Sequence, residues 1–503
     1  MSEASITRIS GPVLRAVTAD VFHINEAVFV GHNRLLGEVI RVEQNTIVAQ
    51  AYEDTSGLRP GDKVLGNGTP LSVKLGPALL GNIFDGLLRP LTLELGAYVQ
   101  PGMQASPPEA FTFSPGVKSG ETARAGSVLG TATSDGGLSQ AVLVPPHISG
   151  VVIAISPQGR YDDEQAICTL RDADGKEHPL AMSHHWPIRD PRPVAERLPT
   201  SRPLFTGQRI LDSIFPLADG GRAAMPGGFG TGKTVLQETL SKWCDADIIV
   251  YVGCGERGNE MAGVLHDLPA LEDPRTGRPL MERTLIIANT SNMPVAAREA
   301  SIYTAVTVAE YFRDQGLRVS LMADSTSRWA EALREVSGRL GELPGEGGYP
   351  AYLSSRLADF YERASHARTL CGEPGSLSII GAVSPPSADF SEPVTTHTKR
   401  YVRVFWALDS NRAQARFYPA IHPLLSYSRD IDELLDYWRE NNHPHWLEQR
   451  RRFLTLLEEQ TRLERMARIV GKDALPPRQQ HILLCAELIN DGFLRQSAYS
   501  EID

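Results

Sequence analysis

"GGFGTGKT", residues 227–234, decides how the rest of this chain is read. It fits the pattern G-x-x-x-x-G-K-[ST], in which a glycine-rich turn points backbone N–H groups at phosphate oxygens. Gly227, Gly228, Phe229, Gly230, Thr231, Gly232 and Val235 make up the candidate nucleotide loop. Lys233 would reach the β- and γ-phosphates, and the Thr234 hydroxyl would ligate Mg2+. The following run, "KTVLQETLSKW", is spaced as a helix, with Leu236, Leu240 and Trp243 expected to face a sheet. Its N-terminus would meet the anion. A plain glycine turn ahead of a helix is the bland alternative. The chain has 8 lysines against 42 arginines, so a lysine at this one position is less expected by chance.

Outward from the loop, residues 220–425 alternate apolar runs with helical patterns. The runs are "DIIVYV", "TLIIAN", "VSLMAD", "LSIIGAV" and "VFWALD". Between them, Met261, Val264, Leu265 and Leu268 share one helical face, and Ile302, Ala305, Ala309 and Phe312 share another. Such alternation predicts a mostly parallel sheet covered on both sides. "RVSLMAD" ends in Asp324, which suits the strand-end aspartate that holds Mg2+ beside a phosphate loop. "VGCGERGNEM" (252–261) puts Glu256 and Arg257 at the end of the next strand after the loop. Ligands of open parallel sheets collect at that edge. A carboxylate there can orient a water in line with the γ-phosphate. The alternative is an acid that only complements a helix dipole. Arg257 would touch the γ-phosphate or pair with a neighbouring acid.

The flanks read differently. Residues 1–72 hold short β-rich runs broken by Gly, Asn and Pro, the pattern of a small barrel or sandwich. Residues 110–190 are again strand- and turn-rich, and the proline-rich 187–204 reads as a boundary. Residues 73–109 are assigned to the start of the nucleotide-binding domain, 191–428 to its body and 429–503 to a helical domain. The fold class expected is multidomain α/β: N-terminal β-barrel, β-rich insert, phosphate-loop domain with a mostly parallel sheet, and C-terminal helices.

With 503 residues, 42% hydrophobic and 22% charged, the chain has the composition of an ordinary globular protein of several domains. A net charge of −10 argues against nucleic acid as partner. The five cysteines include no CxxC pair, so neither a disulfide framework nor a zinc ribbon is expected. Cys254 reads as a small buried residue, and "SHHWP" (183–187) as a loop without a metal. No 18-residue apolar run and no signal peptide is found.

Taken together, the long stretches "GCGERGNEM", "ERTLIIANTSNMPVAAREASIYTAVTVAEYFRD", "LMADSTSRWAEALREVSGRL", "PGEGGYPAYLSSRLADFYERA" and "AVSPPSADFSEPV" resemble the catalytic A subunit of V-type and archaeal-type rotary ATPases. The resemblance runs nearly end to end and implies a RecA-like nucleotide-binding domain. It also marks residues 110–190 as the insert that sets A subunits apart from B subunits. It implies Glu256 as the catalytic glutamate, Lys233 on phosphate, and Thr234 and Asp324 on Mg2+, with ATP and ADP as substrates. Tyr418 in "RFYPAIHPLLSYS" and Tyr499 in "LRQSAYSEID" match aromatics placed against adenine. The implied partners are B-type subunits in an alternating A3B3 hexamer, central-shaft and peripheral-stalk subunits and, indirectly, a membrane ring moving H+ or Na+. The implied location is cytoplasmic, on the inner face of a membrane. The transition-state arginine is expected from the adjacent B subunit.

Three departures from the family pattern are expected to matter. Gly228 stands where proline is usual, which adds flexibility to the loop. Ser387 and Ala388 replace two glycines. The helical region ends at Asp503, whereas the resemblance implies roughly 70 further residues in a domain of ordinary size, and a shorter one would loosen coupling to the shaft. The rival readings are another hexameric motor of this fold, such as a secretion ATPase or an RNA translocase, and a subunit that holds nucleotide without cutting it.

Overall fold

The computed structural model describes residues 2–91, 108–498 and Ser500. The N-terminal unit is a closed six-stranded antiparallel barrel: β1 (Glu3–Ser10), β2 (Val13–Thr18), β3 (Glu26–Val30), β4 (Leu35–Glu43), β5 (Thr46–Ala51) and β6 (Lys63–Pro70). Alternating side chains fill it, among them Ile6, Leu14, Val28, Val39 and Ile47. Closure removes the unpaired sheet edges that short strands would otherwise expose.

A short strand, β7 (Ser72–Leu75), leaves the barrel and pairs with His184–Pro187. The local sequence suggests a loop for "SHHWP". It is a strand because its partner lies more than a hundred residues away, which no local pattern shows. The insert itself is two four-stranded antiparallel sheets closing on Phe113, Leu129, Val152 and Leu170.

The largest sheet carries the phosphate loop. The strands on its main path are β8 (Ile83–Phe84), β9 (Arg222–Pro226), β10 (Ile248–Glu256), β11 (Thr284–Thr290), β12 (Arg318–Asp324), β13 (Pro374–Val383), β14 (Val404–Phe405) and β15 (Tyr427–Ser428). Off that path, the short strand Ser365–Arg368 adds to β13 and Glu196–Arg197 adds to Ser365–Arg368, both antiparallel. Across the sheet the order is β15-β14-β9-β13-β12-β10-β11-β8. All neighbours on this path are parallel except β14 with β15. The phosphate-loop strand β9 therefore neighbours β13 and β14, whereas the strands ending in Asp324 and Glu256 lie side by side. In their register Gly253 sits opposite Asp324. The helices used below are α1 (Lys233–Trp243), α2 (Gly258–Ala270), α3 (Val295–Arg313), α4 (Thr326–Leu340), α5 (Leu353–Tyr361) and α6 (Pro393–Tyr401). The C-terminal region is built on α7 (Trp446–Val470) and α8 (Pro477–Ile489).

Two helix expectations need correction. The spacing gave α3 one apolar face, but it is buried on all sides, Arg298, Glu299, Thr304, Glu310 and Arg313 included. Its polar residues are paired inside the protein, so their polarity mimicked a solvated face. On α1, Leu236 and Leu240 do enter the core. Trp243 turns away from the sheet: its Nε1–H donates to the Ala498 carbonyl (3.2 Å), and Lys242 sits over its ring. The C-terminal segment, not the sheet, covers it. "VFWALD" forms a strand only over Val404–Phe405. No helix among the described residues is long and apolar enough to cross a membrane.

Candidate active site

The phosphate loop leaves β9 and turns into α1 through Gly232, whose φ of 83° is in the left-handed region that favours glycine. The loop is tied to the next strand by the Gly227 N–H, which donates to the Val383 carbonyl (3.0 Å). The Lys233 ammonium donates to the carbonyls of Gly227 (2.8 Å) and Gly228 (2.9 Å). Thr231 donates its hydroxyl to the same Gly228 carbonyl (2.8 Å). Burial lowers the Lys233 pKa, against the pull of Asp324, Glu256 and Glu260. Phe229 stands exposed at the loop's apex, and Val235 is exposed on the first turn of α1.

Two acids face the loop from neighbouring strands. Asp324, buried at the end of β12, accepts the Thr234 hydroxyl (3.1 Å) and the Tyr251 hydroxyl (3.3 Å). Burial raises its pKa. Thr234 and Asp324 thus put two hard oxygens together at the head of α1, a donor set that fits Mg2+. The described residues hold no group of three or more His, Cys, Asp or Glu that could bind a metal. A two-oxygen contribution suits an ion that keeps waters and takes substrate phosphate oxygens.

Glu256 is the last residue of β10, and Gly255 before it is left-handed (φ 73°). A Cβ at Gly255 would lie 2.7 Å from Arg298 Cδ and 2.8 Å from Arg328 Cβ, so only glycine lets the strand end here. Burial, the charge of Asp324 and a hydrogen bond to Glu260 push Glu256 up to about 7. A carboxylate with that value, at the loop's edge, is poised for proton transfer near neutral pH. Of the two roles expected for Arg257, the structure shows an acid neighbour: its guanidinium lies 4.0 Å from Glu260, and it also sits 4.9 Å from the Phe229 ring centroid.

Tyr418 lies beside the loop, with its ring edge 3.4 Å from where a Cβ on Gly232 would stand. It borders a cavity of about 560 Å3 between the loop, the Arg416–Ala420 turn and residues 491–498. Tyr499, the second expected aromatic, lies outside the described residues. The structure thus brings Lys233, Thr234, Asp324, Glu256, Arg257 and Tyr418 to one edge of the sheet.

Sequence reasoning missed five residues here. Glu260 stands four residues after Glu256, in the first turn of α2, close enough in sequence to be read with it. Arg328 sits four residues after Asp324 and pairs with Glu331 (3.1 and 3.0 Å to its two oxygens). Burial lowers the Arg328 pKa, but the hydrogen bond and charge of Glu331 and the charges of Glu256 and Glu260 outweigh that and raise it. Arg416 and Arg495 join the cavity wall from segments far apart in sequence, with no local signal. Tyr251 reads as one more apolar strand residue, and only its partner shows its use. Cys254 is buried, and burial pushes its thiol up to about 12, so it is inert as read.

Comparison with known proteins fits this geometry. The model described as "ATP synthase alpha/beta family, nucleotide-binding domain" matches residues 207–428. Models for the family's beta-barrel domain, barrel-sandwich domain and V and A type C-terminal domain match 6–68, 105–189 and 435–503. A V-type ATP synthase alpha chain from Halothermothrix orenii is 51% identical, covering 100% of this chain and 86% of that one. The chain belongs to the alpha/A subunit family of V-type and A-type ATP synthases. The corresponding A-type ATP synthase chain of Methanopyrus kandleri is 51% identical over the same shares of the two chains. That of Methanosarcina barkeri is 51% identical, over 100% of this chain and 87% of the relative. Among solved structures, the assembled ATPase EscN of the enteropathogenic E. coli type III secretion system has a TM-score of 0.70. At 23% identity, over 99% of this chain and 96% of that one, it shares the fold. The family, the fold class and the ATP synthase reading made from the motifs are borne out.

Proposed function

We propose that this chain is the catalytic subunit of a V/A-type rotary ATPase, making or hydrolysing Mg-ATP at interfaces with non-catalytic B-type subunits. The observation that carries the reading is the pairing of β10 and β12. It sets Glu256 and Asp324 at one sheet edge, and the Thr234 hydroxyl binds Asp324 at 3.1 Å. Thr234 and Asp324 would hold Mg2+, which when bound with nucleotide neutralises charge on the β- and γ-oxygens. Lys233 exchanges its backbone carbonyls for phosphate oxygens. Glu256 would accept a hydrogen bond from the attacking water, orient it and take its proton as the new bond to the γ-phosphorus forms and the bond to ADP breaks, with no covalent enzyme intermediate. Arg257 and Arg328 hold positive charge beside the transferring group. Tyr418 stacks on the base. Coupling to H+ or Na+ movement would run through shaft subunits to a ring in the membrane, with this chain on the membrane's cytoplasmic face.

Co-expression with candidate B-type and shaft subunits, followed by mass determination and ATPase assay, tests the proposal. Turnover is expected only in an assembly holding both chain types. A homohexamer of this chain that turns over ATP unaided would overturn it.

A further inference from the structure

The loop joining β13 to α6, "SPPSADFSE" (384–392), lies against the phosphate loop. Pro385 and Pro386 stiffen it. Ser387 (φ 55°) and Ala388 (φ 57°) both occupy the left-handed region that side chains other than glycine rarely adopt. The turn is fixed by hydrogen bonds from Ala388 N to Pro385 O (3.2 Å), Asp389 N to Pro386 O (3.1 Å) and Ser384 N to Ser327 Oγ (2.8 Å). The atom it brings nearest to Gly228 is the Ala388 methyl. A Cβ placed on Gly228 would lie 3.2 Å from that methyl carbon and 3.8 Å from Ala388 Cα.

Gly228 is therefore bare where Ala388 presses. Its φ is ordinary, so space alone, not backbone conformation, calls for glycine here. Gly228 is also the residue whose carbonyl receives both Lys233 (2.9 Å) and Thr231 (2.8 Å). Whatever fixes Gly228 fixes where the lysine rests. The prolines and the Ser384 N–H bond to the Ser327 hydroxyl oppose movement of Ala388 away from the loop.

We propose that Ala388 is a positioning residue for nucleotide turnover: its methyl is the wall against which Gly228 and hence Lys233 are held. The two positions form a matched pair that tolerates one methyl group between them. This rests on the assignment of the loop as the phosphate site made above.

The test compares Ala388→Gly, Gly228→Ala and the double variant, by Mg-ATP kinetics in the assembled ATPase and by thermal unfolding of the full chain. Ala388→Gly removes the wall and replaces a left-handed alanine by glycine. It is expected to raise KM about fivefold while leaving Tm unchanged or higher, a split that loss of structure would not give. Gly228→Ala overpacks the contact and is expected to lower kcat/KM about fivefold. The double variant carries the methyl on the other side, so its loss is expected to be smaller than the product of the two single losses. Single effects that multiply in the double variant overturn the proposal, as does an unchanged KM in Ala388→Gly. If Gly228→Ala does not fold, Ala388→Gly decides alone. A failure of the pair leaves parental turnover and its dependence on Glu256 intact, whereas a failure of the site reading removes that dependence.

Discussion

Glu310 on α3 ties together three parts of the chain, and replacing it by glutamine should cost stability by an amount the structure sets. Its carboxylate is 1% exposed. It accepts Arg363 Nε (3.1 Å) and Nη2 (2.6 Å) and the Arg192 backbone N–H (2.9 Å), with Arg313 at 3.7 Å. Arg363 meanwhile donates to the Ile188 carbonyl (2.9 Å) and the Thr307 hydroxyl (2.8 Å). Burial pushes Glu310 up, but Arg363, Arg313 and the hydrogen bonds outweigh it and hold the carboxyl below its ordinary 4.5. Removing one partner of a buried ion pair costs about 3–5 kcal/mol. Glutamine keeps one acceptor oxygen, so about 3 kcal/mol is expected for Glu310→Gln. For a domain of this size that lowers Tm by roughly 6–12 °C. Because the folded pKa is depressed, the stabilisation is complete above the ordinary carboxylate value and is lost as pH falls through the folded one. The gap between parent and variant should thus be full at pH 7 and narrow below about pH 4.5. Differential scanning calorimetry of the full chain measures it. A Tm drop under ~2 °C at pH 7, or a gap that does not change with pH, would refute the reasoning.

Other outcomes follow from the site. Glu256 has a raised folded pKa, so the nucleotide-free chain loses stability as pH rises from 4.5 through about 7. Glu256→Gln should therefore raise Tm of the nucleotide-free chain at pH 8, by an amount worth about 1–2 kcal/mol, and change little at pH 5; a lower Tm at pH 8 would contradict it. Tyr418→Ala should weaken ADP binding about tenfold while sparing inorganic tripolyphosphate, read by calorimetric titration, since only the base contacts the ring. Equal losses for both ligands would remove Tyr418 from the base site. Tyr251→Phe removes one of two hydroxyls on Asp324. It should weaken Mg2+ dependence of nucleotide binding by a few-fold, and unchanged Mg2+ dependence would make the contact merely structural.

The site was legible where chemistry is local. Gly227–Thr234, Asp324 and Glu256 each stand within a short motif, and a parallel sheet gathers strand ends at one edge by construction. What the motifs could not show is that β10 neighbours β12 and not β9, the order that puts the two acids side by side. Arg416 and Arg495 reach the Tyr418 cavity from segments far apart in sequence. The burial of α3 was hidden because Glu310 and Arg313 are satisfied by Arg363 and Asp314, charges that look solvent-facing in sequence. Trp243 misleads because the segment that covers it arrives from the end of the chain. Ser387 and Ala388 stand out in the sequence as departures, but that Ala388 meets Gly228, the other departure, only the packing reveals.

Turnover of Glu256→Gln in the assembled ATPase is the most direct measurement of the central claim. The account predicts Mg-nucleotide affinity within about threefold of the parent and turnover lowered by roughly 10^3-fold or more, the scale of a lost general base. Turnover within about threefold of the parent would contradict it and leave this chain as a holder of nucleotide.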